Sequence, residues 1–206
     1  MAKSYSHKFG QIIGDLLELA IQPYLYKFAK SHNLFLDKQG QRLARPGKKV
    51  SWTDERGNKH DLDFVLERGG TETQLGIPVA FIETAWRRYT KHSRNKAREI
   101  QSAIIPLSEK YQAHSPFIGV VLAGVFTKGA LAQLKSLKFG VLYFPYDSIL
   151  ETFKKFGINA AFDENTTEPE FKRKISAWNK LINKSGVAKE LIKLISEKLM
   201  NLLRYS

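Results

Sequence analysis

Three acidic residues have the spacing to bind a metal ion together. Glu83 is the only charge in the apolar segment 77–85, whose valine and isoleucine content is typical of a strand buried on both faces. A charge buried there needs a partner, because an uncompensated one costs several kcal/mol, roughly. Asp63, on a predicted hairpin arm, can lie beside Glu83 on the same sheet, and Glu18 on the first predicted helix offers a third carboxylate. Carboxylates that converge repel each other, and Mg²⁺ or Mn²⁺ would relieve that repulsion.

Basic residues follow the strand of Glu83 directly. The segment 86–98 contains six Arg and Lys residues and no acid, and it leads into the N-terminal end of a predicted helix, which by itself attracts phosphate. A second basic group lies in the loop before the hairpin, where it could reach a DNA groove. The predicted DNA contacts are Arg87, Arg88, Lys91, Arg94 and Arg98 in the first group, and Arg42, Arg45, Lys48 and Lys49 in the second.

The composition favours a nucleic-acid partner. The 206 residues include 33 Lys+Arg and 20 Asp+Glu, a formal net charge of +13. Nucleic acid is the usual partner of such a basic chain, with membrane surfaces and ribosomal RNA as alternatives. The absence of cysteine excludes disulfides, thiolate nucleophiles and cysteine-bound metals. No apolar run approaches the roughly 18 to 20 residues of a membrane span, and the polar start lacks a signal-peptide pattern, so we expect a cytoplasmic protein.

The order of predicted elements indicates an α/β domain with a mixed sheet. An antiparallel hairpin leads into parallel strands joined by crossover helices. We expect a single domain over 1–206, with a core at 1–150 and a helical extension at 151–206 that covers the sheet or forms a dimer. The predicted elements are a helix at 9–29 that Pro23 kinks or divides, hairpin arms at 50–53 and 60–67, strands at 77–85, 117–123 and 140–144, and helices at 93–111 and 128–137.

Three short motifs in this order carry a resemblance to a known family. They are Gly14-Asp15-Leu16-Leu17-Glu18, Leu62-Asp63 and Ile82-Glu83-Thr84-Ala85. The segment from residue 14 to about 150 resembles the PD-(D/E)XK nuclease superfamily, in particular its type II restriction endonucleases. The resemblance implies that Asp63 and Glu83 are catalytic metal ligands. It also implies that the backbone carbonyl of Thr84, and Glu18, add further ligands.

Two positions depart from the family pattern. Leu62 replaces the proline that precedes the aspartate, and Ala85 replaces the lysine that orients the attacking water or stabilises the developing charge in the family. Lys96 is our first candidate for a lysine that has migrated, because helical spacing from Ile100 turns it toward the sheet, and Arg87 is the next. Alternatively, a different residue does this work, or the chain is inactive. Asp61 is the alternative to Asp63 as the acidic ligand.

The function implied by the resemblance is sequence-specific cleavage of double-stranded DNA by Mg²⁺-dependent phosphodiester hydrolysis, with Mn²⁺ able to substitute. We expect a homodimer, because a twofold protein addresses both strands of a palindromic site with one surface used twice. Two alternatives are a DNA-binding protein that keeps the nuclease fold without catalysis, and a repair or RNA nuclease with the same metal chemistry.

Overall fold

A five-stranded mixed sheet forms the centre of the molecule. The computed structural model describes residues 4–204, and the side chains of residues 4–194. The elements are α1 (Tyr5–Ser31), β1 (Leu34–Lys38), β2 (Val50–Thr53), β3 (Lys59–Leu62), β4 (Phe64–Arg68), β5 (Ile77–Arg87), α2 (Thr90–Lys110), β6 (Phe117–Gly124), α3 (Lys128–Ser136), β7 (Gly140–Pro145), α4 (Tyr146–Lys155), α5 (Glu168–Lys180) and α6 (Lys184–Arg204).

The strand order in the main sheet is β1-β4-β5-β6-β7. Strand β4 pairs antiparallel with β1 and β5, whereas β6 and β7 continue from β5 in parallel. Strands β2 and β3 form a separate two-stranded hairpin. The predicted α/β class, with an antiparallel part and a parallel part in one sheet flanked by helices, is confirmed.

The sheet is covered on both faces, with an apolar core on each, and β5 contributes side chains to both of these cores. Its residues Ala80, Ile82 and Trp86 pack with α1, α4, α5 and α6, whereas Phe81 and Ala85 pack with α2, α3 and the β2–β3 hairpin. Alternate residues of a strand point to opposite faces, which explains why a strand with two apolar faces reads as a continuous apolar run. Glu83 is on the α2 face by the same alternation.

Helix α1 is longer than predicted, and Pro23 does not divide it. The side chain of Ser4 accepts a hydrogen bond from the backbone N–H of His7, which caps the first turn. Pro23 is inside the helix but exposed. Buried residues on either side of it, Ala20 and Ala29, keep the helix against the core, so the backbone hydrogen bond lost at a proline does not end it.

The second hairpin arm, predicted as one strand at 60–67, is two strands in the structure. Strand β3 pairs with β2, β4 joins the main sheet, and Asp63 lies at the bend between them. Residues 64–67 are all buried, which is the pattern of a strand covered on both faces and not of a hairpin arm with one exposed face. Strand β1 was not predicted, because its five residues are too few to show a period.

The helical tail covers the sheet. Helix α4 begins at Tyr146, earlier than the predicted boundary, and α5 and α6 pack against α1. Phe171, Trp178 and Leu191 of these two helices are buried in the core. The part of the helical extension beyond residue 194, which we expected to cover the sheet or form a dimer, falls outside the side chains that the structure describes. Within residues 4–204, no helix combines the length and apolar character needed to span a membrane.

Candidate active site

Asp63 and Glu83 come together where β4 diverges from β5. The last pair of the ladder at this end is Phe64 with Ile82, so Asp63 and Glu83 are next in register. Thr84 fixes Asp63, because its backbone N–H and its Oγ1 both donate to Oδ2 of Asp63, at 2.6 and 2.8 Å. The bend at Asp63 therefore holds one carboxylate against the strand that carries the other.

Glu83 is buried in a negative environment. It is 7 % exposed. Burial and, to a smaller extent, the charge of Asp63 raise the pKa of Glu83 to about 8, although Lys96 acts in the opposite direction. Such a shift means that the ionised carboxylate has lost the hydration it would have in water, and that nearby positive charge does not fully replace it.

Glu18 is the third carboxylate of the cluster. It projects from α1 and is partly buried. Burial raises the pKa of Glu18 to about 7, with smaller contributions from the charges of Asp63 and Asp15. Glu18 and Glu83 thus both interact electrostatically with Asp63, which makes these three residues one cluster. We call Glu18, Asp63 and Glu83 the carboxylate cluster.

Lys96 of α2 supplies positive charge next to Glu83. Its Nζ lies 3.9 Å from Oε2 of Glu83 and 3.6 Å from Oε2 of Glu99. Ala85, at the position of the family lysine, is buried in the core between β5 and α2. The helix that covers this face of the sheet therefore supplies the ammonium group near Glu83, as expected if Lys96 replaces the family lysine. Its role in catalysis stays a prediction.

Glu99 was not predicted as part of the site. It lies one helical turn after Lys96, and its Oε2 is also 3.8 Å from Nη2 of Arg87. The i,i+3 spacing of Lys96 and Glu99 was the signal available in the sequence. Glu99 links the two basic residues that we considered as replacements for the family lysine.

The carboxylate cluster opens into a groove of about 1030 Å³. Its walls are the first turns of α1, the end of β5, the start of α2 and the loop at 162–168. Glu18, Asp63, Glu83, Thr84 and Lys96 all line it. A groove of this kind admits an extended ligand and water to the carboxylates, in contrast to a closed core.

The donor set fits a magnesium ion. Within residues 4–194, no three His, Asp or Glu side chains approach closely enough to form a complete metal-binding group. Mg²⁺, however, usually keeps several waters and takes only one or two carboxylates from the protein. Asp63 and Glu83 meet that need. In a paired strand, the N–H and C=O of a residue point to the same side, so the Thr84 carbonyl faces Asp63, which precedes the first residue of β4.

The prediction that Arg42 and Arg45 bind DNA is wrong. They are only 5 % and 6 % exposed. Arg42 Nη1 lies 2.5 Å from Oε1 of Glu67 and 2.9 Å from Oδ2 of Asp37. Arg45 donates from Nε to Oδ2 of Asp37 at 2.9 Å. These two arginines are structural, because buried carboxylates of β1 and β4 take their hydrogen bonds; Arg42, Arg45, Asp37 and Glu67 are called the arginine cluster below.

The loop lysines differ from these arginines in exposure. Lys48 and Lys49 are both exposed. Lys49 binds the exposed carboxylate of Asp61 at 2.5 Å, and Ser51 donates to the same carboxylate. The Asp61 carboxylate is therefore already paired on the hairpin surface, so the geometry favours Asp63 over Asp61 as the metal ligand.

The basic residues at the end of β5 and after it differ in burial: Arg87 and Arg88 are partly buried, whereas others are exposed. Arg88 is partnered: its Nε donates to the Phe162 carbonyl at 2.6 Å, and its guanidinium lies 4.2 Å from the centre of the Tyr146 ring. Arg87 is half-buried beside Glu99, and burial lowers its pKa. The predicted DNA contacts that are exposed on α2 are Lys91, Arg94 and Arg98, and Nζ of Lys91 lies 3.8 Å from Oε1 of Glu164.

Comparison with known proteins gives little information. No protein-family model matches the chain, and no curated protein matches it. Among solved structures, it is similar to the crystal structure of a protein of unknown function, AF1548. The alignment covers 87 % of this chain and 99 % of that chain, at 11 % sequence identity and a TM-score of 0.38. Because this TM-score is low, the function of the chain has to be inferred from its own residues.

Proposed function

We propose that this protein is a Mg²⁺-dependent DNA endonuclease of the type II restriction kind. The observation that carries the proposal is the carboxylate cluster, in which three acids share an open groove with one nearby ammonium group, that of Lys96. Groups with strongly shifted pKa values in an open groove are candidates for a functional site. A divalent cation would satisfy the excess negative charge.

The residues have separate roles in this proposal. Asp63 and Glu83 hold the ion, and the Thr84 carbonyl is a further ligand. When bound, the ion lowers the pKa of a water and stabilises the charge that builds on the phosphate. Thr84 also fixes the orientation of Asp63 through its two hydrogen bonds. Glu18, which interacts electrostatically with Asp63, contributes to ion binding through a water that the ion keeps.

Lys96 has the role of the family lysine in this proposal. Its ammonium group, 3.9 Å from Glu83, can donate to the attacking water or to a phosphate oxygen. Charge-assisted hydrogen bonds to a developing oxyanion are worth more in a site that excludes bulk water. Ala85 therefore does not rule out catalysis, because a lysine on the facing helix can do the same work.

The test is cleavage of phage or plasmid DNA by the purified protein, with Mg²⁺ or with EDTA. We expect discrete Mg²⁺-dependent fragments from the wild type and none from Glu83→Gln. Glu109→Gln, which changes an exposed acid on α2, is the matched control and should cut normally. Equal cleavage by Glu83→Gln would overturn the proposal, because the activity would then come from elsewhere.

The same experiment separates the alternatives. DNA that is bound but not cut under any divalent ion indicates a binding protein without catalysis. Cleavage of RNA but not DNA indicates an RNA nuclease, and a continuous smear of DNA indicates a nuclease without sequence preference, such as a repair enzyme. We also expect a homodimer in the cytoplasm, and sedimentation of the free protein and the DNA complex tests the oligomeric state.

A further inference from the structure

Two lysines from distant parts of the chain meet at one aromatic ring beside the groove. Tyr5, in the first turn of α1, lines the groove. Nζ of Lys8 lies 5.2 Å from the centre of its ring, and Nζ of Lys172, on α5, lies 4.7 Å from it. We call these three residues the tyrosine–lysine patch.

Among the side chains that the structure describes, no carboxylate neutralises the positive charge of this patch. Both lysines are exposed, and neither forms an ion pair with a carboxylate among the described side chains. Glu168, one helical turn before Lys172, lines the groove without pairing with it. The face of the tyrosine ring attracts ammonium groups, so it holds both lysines beside Tyr5. A ligand with several negative charges, such as a phosphate backbone, can contact the two lysines together.

The groove connects this patch to the carboxylate cluster. Glu18 and Tyr5 both lie on α1 and line the same groove, and the start of α2 lines it as well, with His92, Asn95 and Lys96. A DNA strand with one phosphodiester at Asp63 and Glu83 has further phosphates on both sides of it. The exposed basic residues of α2 were predicted to hold phosphates on one side, and the patch, whose Tyr5 lines the groove, offers two ammonium groups on the α1 side.

We propose that Lys8 and Lys172, held by Tyr5, bind the DNA backbone on the α1–α5 side of the groove. This inference rests on the proposed function, since it takes DNA as the ligand. The contact is with phosphate, so it adds affinity without sequence preference. The patch was not predicted from the sequence, because Lys8 and Lys172 are 164 positions apart.

The test measures DNA binding without cleavage. Fluorescence anisotropy of a labelled duplex in EDTA compares the wild type with a Lys8→Ala/Lys172→Ala double variant. We expect affinity at low salt to fall about tenfold or more. We also expect the slope of log affinity against log salt to become shallower by about 2, since each phosphate contact contributes about 0.9.

The matched control is Lys27→Ala/Lys30→Ala, which removes two exposed lysines from the other end of α1. It loses the same net charge, and we expect a much smaller change in affinity and slope. Equal loss in both double variants would overturn the inference, because net charge alone would explain it. Unchanged binding by the patch variant would also overturn it while leaving the nuclease proposal standing. A wild type that binds no DNA would overturn both.

Discussion

The carboxylate cluster and the arginine cluster are two groups of buried or partly buried charges associated with the same strand, β4. Asp63 comes immediately before β4, and Glu67 lies near its other end. Both clusters contain more than one carboxylate. They differ in the positive charge that the chain supplies and in their access to solvent.

The arginine cluster is balanced and closed. Two guanidinium groups face two carboxylates, and Arg42 also donates to the carbonyls of Thr71 and Gln74. Burial by itself lowers the pKa of Arg42, but its bond to Glu67 and the charges of Glu67 and Asp37 outweigh burial and raise it. Every charge is therefore met within the protein, and the cluster holds the loop after β1 against β4.

The carboxylate cluster is unbalanced and open. Of its three carboxylates, Glu83 has Lys96 nearby, and Lys96 also lies beside Glu99. The pKa values of Glu18 and Glu83 rise instead of falling. The difference between the clusters teaches that buried charge alone does not identify a site. A deficit of positive charge in an open groove marks a stronger candidate, because a ligand cation could enter and supply the missing charge.

The largest expected effect comes from Asp63→Asn. Asparagine keeps an oxygen that can accept from Thr84, so the fold should survive, but the metal ligand loses its charge. We expect DNA cleavage to fall by about 1000-fold, in line with the loss of a group that stabilises transition-state charge. Titration with Mn²⁺, followed by calorimetry, should show weaker binding. Unaltered Mn²⁺ affinity would mean that the carboxylate cluster is not the metal site.

The next effect is on stability and involves the other cluster. Arg42→Met leaves Glu67 and Asp37 buried with less positive charge, and we expect a loss of about 3–5 kcal/mol in the free energy of unfolding. Urea denaturation measures it. Arg68→Met, at an exposed position of β4, the strand that carries Glu67, is the control and should cost less than about 0.5 kcal/mol in the free energy of unfolding. A small loss for Arg42→Met would contradict the structural role assigned to the arginine cluster.

Lys96→Met tests whether the helix lysine replaces the family lysine. We expect about 100-fold slower cleavage, since positioned proton-transfer or charge-stabilising groups contribute on this scale. Adding Ala85→Lys to this variant returns an ammonium group to the Glu83 face of β5 and should recover part of the rate. If Lys96→Met cuts at the wild-type rate, Arg87 becomes the next residue to substitute.

Much of the fold could be predicted from the sequence, because the signals are local. The apolar run at 77–85 and the three- and four-residue spacing in α2 each reflect a single element with a strong period. Strand β1 could not be found this way, since it is short and its first residue, Leu34, pairs with Arg68, 34 positions away. The division of β3 from β4 depends on sheet pairing and not on any local pattern.

In the candidate site, too, some residues could be predicted from local sequence and others could not. Glu83 could be predicted as a candidate because a charge is unusual in an apolar strand. Lys96 could be predicted because its helical spacing from Ile100 places it on the side of α2 that faces the sheet. Arg42 and Arg45 could not be distinguished from surface residues, because loop sequence does not show that Asp37 and Glu67 bury them. Contacts between residues far apart in the chain decide which charges are exposed.

The smallest expected effect is a pH-dependent gain of stability in Glu83→Gln without metal. The folded-state pKa of Glu83, about 8, exceeds the ordinary value of 4.5, so the folded protein binds more protons than the unfolded chain between these values. The stability of the wild type therefore falls as pH rises from about 4.5 to 8, and glutamine removes that loss. We expect the variant to be more stable than the wild type by about 1–3 kcal/mol at pH 8.5, with no difference below pH 4.

Urea denaturation in EDTA at several pH values measures this gain, and Glu109→Gln is again the control. Saturating Mg²⁺ should reverse the order at pH 8.5, because the ion stabilises only the protein that keeps both carboxylates. A Glu83→Gln variant that is less stable than the wild type in EDTA at pH 8.5 would show that Lys96 already compensates Glu83. The carboxylate cluster would then be a balanced structural group like the arginine cluster, and the main argument for a metal ligand would be lost.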